Sequence, residues 1–164
     1  SFDIRERISF YEKLCRSHGA LLFEDYEEVK GWMDWLMDTL DSMERPKCLC
    51  HIDANVDNFL FFEDGSVKLL DWEYAGMCDP VMDVSMCAIY SYYKEEDMER
   101  LFRLYLRREP SEDELFALYA NAALGGFLWC LWAVYKSILG DEFGEYTIIM
   151  YRYAKKYYRK LRKL

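Results

Sequence analysis

His51 is followed two residues later by Asp53 and five further on by Asn58, and a second aspartate, Asp71, comes thirteen residues after that. Side chains of these types suit phosphoryl transfer to an alcohol. One carboxylate orients and deprotonates the attacking hydroxyl, while an amide oxygen and another carboxylate hold the magnesium that neutralises the phosphates. The order and spacing of these residues match that division of labour.

Such a division of labour requires the chain to bring these groups to one place. Residues 59–62 and 67–70 are apolar runs flanking Glu63-Asp64-Gly65-Ser66, a turn sequence that predicts a β-hairpin. The hairpin returns Asn58, at its entrance, and Asp71, at its exit, to the same end of a two-stranded ribbon. Residues 47–50 read as a short extended segment leading into the His51 loop, and 72–80 as irregular.

The rest of the pattern is helical. Ile4, Ile8, Tyr11 and Cys15 predict a helix over 2–16 with an acidic, capping-box-like start at Asp3 and Glu6 and a stop at Gly19. A second helix is predicted over 25–43, with Val29, Trp32, Leu36, Leu40 and Met43 on its buried face and Pro46 closing it. From Pro80, at a first-turn position, the pattern turns helical again through Val84, Cys87, Ala88 and Tyr92. Further helices are predicted over 96–107, 112–139 and 143–164, the last marked by Tyr146, Met150, Tyr153 and Tyr157. Gly125-Gly126 within the long helix marks a kink or a close helix contact. The fold class is α+β, predominantly α-helical.

A chain of 164 residues, 52% apolar and 18% aromatic, has the makings of a packed core, but it is short for a complete nucleotide-dependent kinase. That length, and Ser1 at the first position, suggest a piece of a larger protein. The net charge of −9 argues against nucleic acid or an anionic membrane as partner and suits a cationic small molecule. The basic tail of Arg152, Lys155, Lys156, Arg159, Lys160, Arg162 and Lys163 reads as the wet face of the last helix. Cys15, Cys48, Cys50, Cys78, Cys87 and Cys130 read as buried free thiols in a reducing cytoplasm. Cys48 and Cys50 are expected to face opposite sides of their extended segment, so structural zinc is not expected. No span of about eighteen uncharged apolar residues is expected, nor a signal peptide, which predicts a cytoplasmic protein without membrane insertion.

The string from His51 to Asn58, followed by Leu69-Leu70-Asp71-Trp72-Glu73-Tyr74-Ala75-Gly76, resembles the carboxy-terminal lobe of the aminoglycoside phosphotransferase-like superfamily, relatives of the protein kinases. Asp71-Trp72-Glu73-Tyr74 resembles its choline and ethanolamine kinase branch in particular. Phe127-Leu128-Trp129-Cys130-Leu131-Trp132 resembles the tryptophan-bearing helix of that branch, and Phe2-Asp3 with Phe10-Tyr11-Glu12 resembles the stretch after the interlobe hinge of bacterial choline kinases. The resemblance runs over nearly the whole chain, which would then be the kinase-like lobe over 1–164. It implies Asp53 as catalytic base, Asn58 and Asp71 as magnesium ligands beside ATP as co-substrate, and His51 as a brace of the catalytic loop. Glu73 is an expected outer carboxylate near the metal. Ile52 and Glu73 stand where protein kinases carry arginine and glycine, so a protein substrate is not expected.

A quaternary ammonium has no hydrogen to donate and is recognised by aromatic faces. Trp129 and Trp132, three apart on a predicted helix, share a face and form two walls of such a box. Tyr74 and Tyr90 occupy positions resembling substrate-pocket positions of choline kinases, with Tyr90 in place of the glutamate of eukaryotic relatives, and Tyr92, Tyr93, Phe143 and Tyr146 are further candidates. Choline is therefore the expected substrate. Ethanolamine, an aminoglycoside or thiamine are alternatives, as is a non-catalytic module that binds quaternary ammonium. No glycine-rich phosphate loop and no early-strand lysine are present. Both belong to the amino-terminal lobe of the family, the expected covalent partner, without which the isolated chain should phosphorylate choline slowly or not at all.

Overall fold

The computed structural model describes residues 2–20 and 23–163. Among the described residues, six α-helices and two small antiparallel sheets make up the fold: α1 Ile4–Ser17, α2 Tyr26–Asp41, β1 Cys48–Cys50, β2 Phe59–Phe61, β3 Val67–Leu69, β4 Gly76–Cys78, α3 Val81–Tyr90, α4 Glu95–Leu106, α5 Glu112–Ile138 and α6 Tyr146–Leu161. The class is α+β with helix predominating.

The centre is α5, against which α6, α3, α1 and α2 pack. Every residue from Ala117 to Leu131 is buried, so this helix is apolar on all sides, as a core helix must be. Leu115 to Tyr135 carries no charge, which corrects the expectation that no such run exists. By length and composition α5 could cross a membrane, but 83% of its most apolar window is buried inside the fold. It starts at a capping box, in which Ser111 accepts from the Glu114 N–H and the Glu114 carboxylate accepts from the Ser111 N–H. Gly126 explains how α6 comes so close: a Cβ there would lie 2.6 Å from the Met150 carbonyl oxygen and 2.9 Å from the Tyr153 Cβ. The glycine pair is a close contact and not a break, since α5 runs through it.

Asp3 caps α1 by accepting from the Arg5 and Glu6 N–H groups, and Gly19 follows with a φ of 69°. In α2 the buried face carries Tyr26, Val29, Met33, Leu36 and Met37. Trp32, Leu40 and Met43 lie at its margin. The face is thus rotated from the expected one, because long, flexible methionines fill the interior while Trp32 stacks on Tyr158 at the rim.

The hairpin forms as its turn sequence dictates, with Phe59 opposite Leu69 and Phe61 opposite Val67. Gly65 has a φ of 80° and Asp64 accepts from the Ser66 N–H. Within the segment expected to be irregular, β4 pairs with β1, setting Cys48 opposite Cys78 and Cys50 opposite Gly76. Gly76 has no Cβ to spare: one would sit 2.7 Å from the Phe2 Cβ, and Phe2 donates its N–H to the Met77 carbonyl at 3.2 Å.

Two cysteine expectations need correction. Residues two apart on a strand share a face, and the Cys48 and Cys50 sulfurs lie 3.8 Å apart. Cys48 is also exposed and Cys87 only half-buried, while Cys15, Cys50, Cys78 and Cys130 are buried. Burial pushes the Cys15 thiol up to about 11. On α6, Lys155 pairs with Asp25, and Lys156 and Lys160 pair with Glu95. Part of the basic face therefore ties helices together.

Candidate active site

The loop that leaves β1 is held from below by a group that sequence patterns did not flag. Asp83, in the first turn of α3, accepts from the backbone N–H of His51 at 2.8 Å and of Ile52 at 2.7 Å. Ile52 is fully buried with a φ of 72°, a backbone conformation that β-branched residues avoid. The carboxylate offsets that strain, because two consecutive N–H groups converge on it. A carboxylate at that position looks in sequence like an ordinary partner of the helix dipole; its place two residues beyond Pro80-Val81 gave no other signal.

His51 is 1% exposed and joins the two halves of the site. Its Nε2 lies 2.6 Å from the Leu70 carbonyl oxygen, which can only accept, so the hydrogen is on Nε2. Its Nδ1 is buried without a partner among the described residues, and its ring stands edge-on to Trp72 at 4.9 Å. Leu70 in turn donates its N–H to the Asn58 carbonyl at 2.8 Å, continuing the ribbon by one more bond. Asn58 and Asp71 thus flank the open end of the hairpin.

Asn58 donates through Nδ2 to the Asp53 carbonyl at 2.9 Å and to Asp53 Oδ2 at 3.0 Å. Among the described residues nothing donates to the Asn58 amide oxygen, which is left free as a hard ligand. Asp71 is exposed, with a φ of 58°. An amide oxygen and a carboxylate fit magnesium in donor type, the remaining positions falling to phosphate and water oxygens. No group of three or more His, Cys, Asp and Glu side chains able to hold a metal occurs among the described residues. Glu73 is exposed and near Tyr11 and Tyr74, whose hydroxyls burial raises first and its charge raises further.

The aromatic residues assemble around Trp129. Tyr74 meets it edge-on at 5.5 Å, Tyr90 lies tilted at 5.9 Å, and Trp132 meets it edge-on at 5.8 Å. Phe143 extends the wall at 5.0 Å from Trp132, and Tyr146 follows at 6.2 Å from Phe143. Asp53 is close enough to act on this cluster. Burial, then the neighbouring Tyr146 and the Asp53 carboxylate, hold the Tyr90 hydroxyl well above its ordinary value. Burial, with Tyr92 and Asp53 adding to it, does the same for Tyr146. Among the described residues the Tyr90 hydroxyl has no hydrogen-bond partner at normal geometry, Asp53 being the charged neighbour that acts on it. A cavity of about 400 Å³ between α1, α2 and β4, lined among others by Phe2, Met37, Met82 and Leu124, contains none of these residues.

The model of the phosphotransferase enzyme family matches residues 4–163. The chain belongs to that family. LicA of Haemophilus influenzae is 27% identical over 152 residues, which is 88% of this chain and 41% of that protein. Mouse ethanolamine kinase 1 is 26% identical over 151 residues, 75% of this chain and 42% of that one. The crystal structure of the choline kinase LicA from Streptococcus pneumoniae superposes with a TM-score of 0.84 at 28% identity, over 98% of this chain and 56% of that one. Its complex with AMP gives 0.83. The fold is therefore the protein-kinase-like one of these phosphotransferases, and the chain spans about half the length of the relatives it matches.

Proposed function

We propose that the chain is the alcohol-binding, catalytic lobe of an ATP-dependent choline kinase. The observation that carries this reading is the aromatic cluster of Tyr74, Tyr90, Trp129 and Trp132 beside Asp53, the group suited to take a hydroxyl proton. Aromatic faces attract a trimethylammonium group through their quadrupoles, and nearby carboxylate charge adds to the attraction without requiring a hydrogen bond. The H. influenzae and S. pneumoniae relatives support it, as does the AMP complex for a nucleotide co-substrate.

In this mechanism Asn58 aligns Asp53 by holding Oδ2, leaving Oδ1 for the acceptor hydroxyl. As that hydroxyl oxygen bonds to the γ-phosphorus of ATP, the bond from phosphorus to the bridging oxygen breaks, ADP departs, and the proton passes to Asp53. Magnesium, when bound, would neutralise phosphate charge; Asn58 and Asp71 would hold it, with Glu73 behind them. His51 would keep the hairpin and the Asp53 loop in register through Leu70. The missing half of the nucleotide site belongs to the region that the relatives have and this chain lacks, so the isolated chain should turn over very slowly. A cytoplasmic location suits ATP as co-substrate.

A second reading, ethanolamine as acceptor, gains from the buried Tyr90 hydroxyl, unpaired among the described residues and able to accept from an ammonium N–H, and from the mouse relative. Calorimetric titration separates the two. Choline should bind at least about tenfold more tightly than ethanolamine, and equal affinities would overturn the aromatic-cage reading.

A further inference from the structure

The indole N–H of Trp129 is not available to a ligand. It donates to the Met86 sulfur at 3.2 Å, and the two residues are 4% and 0% exposed. The space that this sulfur occupies exists because residue 125 has no side chain: a Cβ on Gly125 would lie 2.7 Å from Met86 Sδ and 2.9 Å from Met86 Cε. Three residues on two helices thus form one device. Gly125 and Trp129 are one turn apart on α5, and Met86 reaches both from α3.

We propose that Met86 and Gly125 are positioning residues that hold the buried Trp129 as a donor-free aromatic floor behind Tyr74, Tyr90 and Trp132 and so favour a quaternary over a primary ammonium guest. The inference rests on the cationic-guest reading above and extends it. An N–H dipole turned toward a cation repels it, whereas a ring face attracts it. Sulfur is a weak, soft acceptor that satisfies a buried indole without adding charge. Without an acceptor at this place the buried donor is left unpaired at a cost or turned toward the ligand. With the N–H fixed on α3, the edge-on contacts that Tyr74 and Trp132 make with the indole, at interplanar angles of 88° and 84°, have one orientation to pack against. Gly125 is thereby explained as a residue of the site, although it touches no ligand, while its neighbour Gly126 serves the contact with α6.

The test compares Met86→Leu, which keeps the volume and removes the acceptor, with Met82→Leu, which alters another buried methionine of α3. Two readouts are taken on each: the Trp129 indole ¹H–¹⁵N resonance, assigned through Trp129→Phe, and the affinities for tetramethylammonium and ethanolamine. Met86→Leu should move the resonance and lower tetramethylammonium affinity about tenfold while ethanolamine changes little; Met82→Leu should leave both as in the parent. Gly125→Ala should shift the resonance in the same way, and if it does not fold, Met86→Leu decides alone. An unmoved resonance in Met86→Leu overturns the proposal, as does an equal response in Met82→Leu. A parent chain that binds no tetramethylammonium, with the resonance still moved by Met86→Leu, overturns the cage reading and leaves the positioning role of Met86 standing.

Discussion

Asp83, a residue with no expected chemical task, braces the loop that carries Asp53. Its two oxygens take the N–H groups of His51 and Ile52 and hold Ile52 at positive φ. Asp83→Asn keeps the shape but turns one acceptor into a donor facing a backbone N–H. The variant should lose about 2–4 kcal/mol of stability, read as a lower urea midpoint at unchanged slope. A midpoint within error of the parent would show that the loop holds itself. The contrast with Asp53, Asn58 and Asp71 shows what single residues reveal in sequence. Those three stand in the order and spacing expected of a base and two metal ligands, so their types alone suggest a task. The role of Asp83 depends on a backbone conformation 31 residues earlier, which no local pattern encodes.

Elements were legible in proportion to their length. Each helix spans several turns, so its apolar period repeats enough to be recognised, and the hairpin has a turn sequence between its strands. By contrast β4 is three residues long, begins with glycine and pairs with a strand 28 residues earlier; such a segment has no period to read. The buried face of α2 was misplaced because Met33 and Met37 outcompete Leu40 and Met43 for the interior, a packing choice made by α5 and α6 rather than by α2. Glycines within helices make the same distinction measurable. Gly31 in α2 is exposed with nothing within 4 Å of a built Cβ, whereas Gly126 in α5 faces backbone at 2.6 Å. Gly31→Ala should therefore stabilise the protein by about 0.5–1 kcal/mol. Gly126→Ala should destabilise it by about 1–3 kcal/mol as α6 is pushed away. Thermal unfolding of the two variants checks the opposite signs, and a loss of stability in both would mean that helix propensity is not the governing effect at position 31.

At the scale of the molecule, the residues around the hairpin present the largest discrepancy between composition and solvent. Phe61 is 74% exposed and Val56 60%, and Leu60, Phe62, Val67, Leu70 and Trp72 are exposed as well. Both faces of the β2–β3 ribbon carry exposed side chains, only Phe59 and Leu69 being half-buried, yet a two-stranded ribbon with strands this short is marginal in water unless something packs on it. The ribbon also bears Asn58 and Asp71 at its open end, so whatever covers it lies over the proposed metal site. We propose that the region present in the relatives and absent from this chain packs here. Two consequences are measurable. The isolated chain should self-associate through this face, and the double variant Phe61→Glu, Val67→Lys should reduce that association in sedimentation velocity without lowering the melting temperature, since neither residue belongs to the core. In a chain that also carries the region the relatives have, amides 59–69 should exchange with deuterium far more slowly than in the isolated chain. Equal exchange in both would leave the ribbon uncovered, and the nucleotide would then have to be enclosed from another side.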